Sequence, residues 1–150
     1  MNKEIKEYKL LYRGSRDGFG AKDFHNKCDG YKYTVTFVKT KEGRRFGGFT
    51  DAIWDQSGSW KTGSNGFIFS LDNKEIYYNK NSSYNIYCRS DLGPTFGGGS
   101  DFHISDNCDK NNNSYDNSNH SYDTNGKKYA FAGTYNFYIE NYEVYKIDLE

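Results

Sequence analysis

In "YTVTFVKT", residues 33–40, Val35 and Phe37 fall on one side of an extended chain and Thr34, Thr36 and Val38 on the other. A period of two is that of a strand laying one face on a core. Similar runs follow: "RRFGGFTD" (44–51), "GFIFSLD" (66–72), "EIYYNK" (75–80), "YNIYCRS" (84–90), "DFHIS" (101–105) and "YAFAG" (129–133). Between them stand Glu-Gly, Ser-Asn-Gly, Asp-Asn, Asn-Ser-Ser, Gly-Pro and Gly-Gly-Gly, residues that supply the turns at which strands end. The last run, "YNFYIENYEVYKIDL" (135–149), alternates Phe137, Ile139 and Asn141 against Tyr138, Glu140 and Tyr142, and reads as two short strands joined by a bulge. About eight strands at this spacing predict a two-sheet antiparallel β-sandwich, because a single sheet would leave one apolar face wet. The fold class is mostly β (α+β), with one or two short helices at its margins.

A helix is signalled in "LYRGSRDGFGAKDFHNKCDG", residues 11–30. With Gly20 as N-cap, Ala21 is the first helical residue, Asp23 sits near the positive end of the dipole, and Phe19 can staple onto Phe24. Phe24 and Cys28 share a buried side, Lys22, Asn26 and His25 look outward, and Gly30 stops the helix. The preceding corner, residues 13–18, connects strand to helix, and Arg13, Arg16 and Asp17 can pair across it. Residues 105–125, "SDNCDKNNNSYDNSNHSYDTN", are almost all Asn, Asp, Ser and Tyr and predict a solvated, partly mobile loop that buries no core.

The 150 residues suffice for one compact domain, read as an N-terminal extension (1–9) and a folded unit (10–150). Twenty basic and twenty acidic side chains cancel, which removes any general attraction for nucleic acid or anionic membranes. "MNKEIKEYKL" holds no apolar run, so neither a signal peptide nor a membrane span begins there. Cys28, Cys88 and Cys108 are odd in number and widely spaced, as suits reduced thiols in the cytoplasm rather than a disulfide framework. Mean hydropathy is low at −1.00, but fifteen Tyr and eleven Phe supply the buried area that this average undercounts.

No local motif carries catalysis. Asp109, Asn111 and Asn113 open like a calcium loop, yet Ser114 and His120 stand where glycine and a bidentate Glu are needed. His25 with Cys28 and His103 with Cys108 lack the tight knuckle spacing of structural zinc sites, and neither a metal nor a cofactor is expected. No nucleophile elbow or phosphate loop is present, and Gly97, Gly98 and Gly99 read as a sheet bend with close backbone approach. Trp54 and Trp60 flank "WDQSGSW" and either present aromatic surface to a partner or cover the ends of the core. A thiol antioxidant would rest on Cys28, Cys88 or Cys108, one of which would need exposure and a depressed pKa. Arg89 adjoins Cys88, although no cation is clearly positioned to lower it.

In order along the chain, "LLYRGSRDGFGAKDFHNKCDG", "FGGFTDAIW", "FIFSL", "GPTFGGGSDFHISDNC" and "AGTYNFYIENYEVYKI" resemble successive blocks of the TLDc domain in the form common in protist proteins. The resemblance runs from about Leu10 to Ile147 and implies a two-sheet sandwich with marginal helices. In family terms Gly18 and Phe19 introduce the helix, Phe46 to Phe49 and Phe67 to Phe69 match two strands, and Glu143 matches the acidic residue of the terminal strand. Gly20 replaces the serine often found at the cap. The resemblance further implies a non-catalytic interaction domain linked to oxidative-stress resistance and to the vacuolar proton-pumping ATPase, or a structural subunit of a larger protist assembly. Candidate contact residues are Arg13, Arg16, Asp17, Trp54 and Trp60. The expected location is cytoplasmic, peripheral to an organelle or within such an assembly.

Overall fold

A computed structural model describes residues 4–80 and 84–149; the Asn-Ser-Ser turn and the first three residues of the extension lie outside them. Six strands form the first sheet: β1 (Ile5–Arg13), β2 (Thr34–Thr40), β3 (Arg45–Thr50), β5 (Gly66–Ser70), β6 (Glu75–Tyr78) and β12 (Ile139–Leu149), in the order β1-β12-β2-β3-β5-β6. The second contains β4 (Ser59–Lys61), β7 (Ile86–Cys88), β8 (Thr95–Phe96), β9 (Phe102–His103), β10 (Ser114–Asp116) and β11 (Asn136–Phe137), in the order β11-β10-β9-β8-β7-β4. All pairings are antiparallel. The fold is thus mostly β, two antiparallel sheets in a sandwich with two short helices, α1 (Gly14–Asp17) and α2 (Ala21–Cys28). β1 begins at Ile5, so the boundary expected after residue 9 falls inside a strand.

Phe46 of the first sheet meets Phe102 and Phe137 of the second edge to face, at ring-centre distances of 5.3 and 5.7 Å. Gly48 lets the sheets approach, since a Cβ there would stand 2.6 Å from the Phe96 ring. The final run does form two strands, and they belong to different sheets. β11 pairs with β10, the chain crosses at Tyr138, and β12 joins β1 and β2 with a register shift between Ile139 and Asn141.

α2 has the expected bounds. Its N-terminal donors are met by Asp23, which accepts from Gly20 N at 3.0 Å, and by Asp106, which accepts from Ala21 N at 2.8 Å. Phe24 and Cys28 are buried as expected, but His25 is not outward. Its ring lies in the core with Nδ1 2.6 Å from Asp29 and Nε2 2.8 and 2.9 Å from the Arg89 and Leu92 carbonyls, tying the helix to the loop after β7. A buried imidazole is stable only with such partners, and two of the three, the Arg89 and Leu92 carbonyls, come from distant sequence.

Two further expectations are corrected. "YAFAG" is a turn, with Tyr129 at φ +52°, although Ala130, Phe131 and Ala132 are buried. The Asn-rich segment is not simply a solvated loop, because it contributes β10 and buries Cys108, Asp116, Ser121, Tyr122 and Thr124. Its carboxylates and amides meet buried backbone groups that a regular ladder would otherwise satisfy. Asp116 Oδ2 accepts from Phe131 N and Ala132 N at 2.9 and 2.8 Å, and Oδ1 from Ser118 N at 3.0 Å. Asp101 likewise accepts from the backbone N–H groups of His120, Ser121 and Tyr122 at 2.9–3.0 Å.

Candidate functional site

At the corner, β1 ends at Arg13 and one helical turn follows. Asp17 closes that turn by accepting from Arg13 N at 3.0 Å, and Gly18, at φ +105°, redirects the chain into α2. The Arg16 guanidinium grips the same carboxylate through two contacts of 2.9 Å and holds it below the usual carboxylate range. Arg13 reaches across to β12, where its Nε lies 2.5 Å from Glu143, which also accepts from the Tyr145 hydroxyl at 3.1 Å. Ser15 and Asn141 bond reciprocally at 3.1 and 3.0 Å. The three predicted residues therefore come together, with both guanidinium groups already engaged by carboxylates. Glu143, on the terminal strand, completes the cluster.

The two tryptophans separate. Trp54 is fully buried, its Nε1 donating to Thr34 Oγ1 at 2.9 Å and its ring meeting Phe24 and Phe96, so it is a core residue and not a contact surface. Trp60 lies on β4, the edge of the second sheet, and is 49% exposed. Its ring packs against Tyr87 at 4.8 Å and Tyr84 at 6.0 Å. Arg89, exposed and paired with Asp91 at 2.5 Å, stands two residues beyond Tyr87.

The cysteines are also corrected. All three are free and buried, and none is exposed as redox chemistry would need. Burial pushes the Cys88 and Cys108 thiols up to about 12, and burial with the nearby Asp29 and Asp17 carboxylates raises Cys28 as well. Among the described residues no group of three or more His, Cys, Asp or Glu side chains is arranged to hold a metal. No helix there is long and apolar enough to cross a membrane.

Sequence reasoning missed the outer face of the first sheet. In β2 the threonines and Val38 point into the core, leaving Val35 and Phe37 outside. Paired positions share a face, so Tyr145, Val35, Phe49, Phe67 and Tyr78 form one outward row and Glu143, Phe37, Gly47, Phe69 and Ile76 the next. Rings touch in sequence across the sheet: Tyr8 to Tyr145 (6.0 Å), Tyr145 to Phe37 (5.8 Å), Phe37 to Phe69 (5.4 Å), Phe69 to Phe67 (6.4 Å) and Phe67 to Tyr78 (6.1 Å). The available signal was the recurrence of aromatic residues on both faces of several strands.

The TLDc domain model matches residues 1–148. The chain belongs to the TLDc family. No curated protein matches it. The match takes in β1 and the Asn-rich segment.

Proposed function

We propose that this TLDc domain is a non-catalytic protein-interaction module that docks on a larger complex, with the vacuolar proton-pumping ATPase as the leading partner class and oxidative-stress resistance as its setting. The observation that carries the reading is the exposed Trp60 with Tyr84, Tyr87 and Arg89 at a sheet edge, because Trp, Tyr and Arg dominate the energetics of protein interfaces. The partner class comes from the family resemblance. Arg13 and Arg16 at the corner are the second candidate contact. A thiol antioxidant loses support through the burial of all three cysteines.

The test is affinity capture from native cytosol and membranes with the intact chain, Trp60→Ala, and Arg13→Ala with Arg16→Ala. Pump subunits held by the intact chain and lost from Trp60→Ala are the expected result. Equal retention by every variant, or no pump subunit on the intact chain, would overturn the proposal. A second reading, a structural subunit of a larger assembly at the cytoplasmic side of an organelle, is favoured by the apolar outer face of the first sheet.

A further inference from the structure

We infer that the outer face of the first sheet is a self-association surface whose occupant is a second copy of this chain, packed sheet against sheet. Ile5, Tyr8, Phe37, Ile76 and Tyr78 are all exposed there, between 38 and 73%. Isolated exposed apolar residues are ordinary, but these join Val35, Phe67, Phe69 and Tyr145 in one patch, interrupted by Glu143 and with Phe49 buried beneath it, and a contiguous apolar patch marks an interface. Six strands about 4.8 Å apart, each offering two or three outward residues, give roughly 500 Å² per copy in plan. Two such faces reach the ~1,000 Å² total that a specific interface needs, and protruding rings add to it.

Charge favours a like partner. The chain is neutral overall. Charges on and beside the face are paired: Arg13 with Glu143 within the second row, and Lys39 with Glu140 and Arg45 with Asp72 at its end. Such a border neither repels a second copy nor selects a strongly acidic or basic partner. The relief is also suited to self-packing. A groove of about 440 Å³ over β12 is walled by Ile5, Tyr8, Val35, Phe37, Tyr145 and Ile147 with the Glu143 carboxylate at its edge, and on the far side of the sheet the rings of Phe67, Phe69 and Tyr78 pack in a line. A two-fold axis lying in the plane of the interface, along the strands near β2 and β3, sets the Phe67, Phe69 and Tyr78 side of one copy against the groove of the other, within the aligned packing that twisted sheets adopt.

Sedimentation velocity of the full chain over a dilution series tests this, with Tyr8→Lys and, separately, Tyr78→Lys as variants at exposed positions and Lys22→Ala on α2 as the control. A species at twice the 17.4 kDa monomer mass is expected. Either lysine variant should raise its dissociation constant about 10-fold or more, with the folded state verified by thermal unfolding. A monomer at every concentration would overturn the proposal and leave the face to a different protein. A dimer equally stable in both folded lysine variants would overturn it too, by locating the contact elsewhere.

Discussion

Strands of four to eleven residues build the first sheet, whereas none in the second is longer than three. Long strands satisfy their backbone groups through continuous ladders, which leaves side chains free for apolar packing on both faces. Short strands leave many buried backbone donors outside any ladder, and buried Asp101 and Asp116 accept from them instead. The second sheet therefore leans more than the first on buried carboxylates for its backbone hydrogen bonds. The stability of the second depends on the ionisation and geometry of a few side chains.

The strongest way to break this contrast is Asp116→Ala, which strands the buried N–H groups of Phe131 and Ala132. A loss of about 3 kcal/mol or more is expected in denaturant unfolding. Hydrogen exchange should rise first around β10 and residues 129–133, with β2 and β12 still protected. Equal loss of protection in both sheets would erase the distinction.

Acid is a gentler probe. Burial depresses His103 from 6.5 to about 4, with the Arg89 cation adding to the shift. Its contribution is complete above pH 6.5 and is lost as pH falls towards 4, by at most about 3 kcal/mol. Asp101 runs the other way: burial raises its carboxyl to about 6 against the pull of its backbone donors, so its contribution is complete below the ordinary carboxylate value near 3.8 and declines as pH rises through 6. His103→Phe removes the histidine limb and keeps the raised carboxyls of Asp101 and Asp116, so the stability lost between pH 6 and 4 should be smaller in the variant than in the parent. Unfolding curves across that range check the sign.

Thr36 sharpens the comparison from the other side. Its hydroxyl is buried in the first sheet without a hydrogen-bond partner. Thr36→Val should raise stability by about 1 kcal/mol, where removing Asp116 from the second sheet lowers it. The smallest effect belongs to Trp60→Ala, expected within about 0.5 kcal/mol of the parent in thermal unfolding. A larger loss would make Trp60 a structural residue and weaken its place in the proposed interface.

Much of this was legible in the residues. Alternation in 33–40 marked β2, the Gly20 and Gly30 boundaries framed α2, and the last run announced two strands. What alternation does not carry is which face is inside. Val35 and Phe37 are more apolar than Thr34 and Thr36, yet the threonines are buried, because the inward positions of β2 are those aligned with Val144 of β12 and Gly48 of β3 over the shared core. The candidate site was similarly half legible: Arg16 pairs with Asp17 as expected while the Arg13 guanidinium goes to Glu143, Trp60 is exposed, and Trp54 and the three thiols are interior.

By itself the sequence determined the period of β2, the bounds of α2 and the neutral charge, since these depend on neighbours within a few positions or on composition alone. Only the tertiary structure decided that His25 faces inward, that an Asn-rich stretch supplies a strand and part of the core, and that one sheet carries aromatic rings outside. Each of these depends on a partner far along the chain: the Arg89 carbonyl for His25, Phe131 for Asp116, Phe69 for Phe37. Burial is a property of what packs against a residue, and that neighbour is chosen by the fold rather than by local pattern.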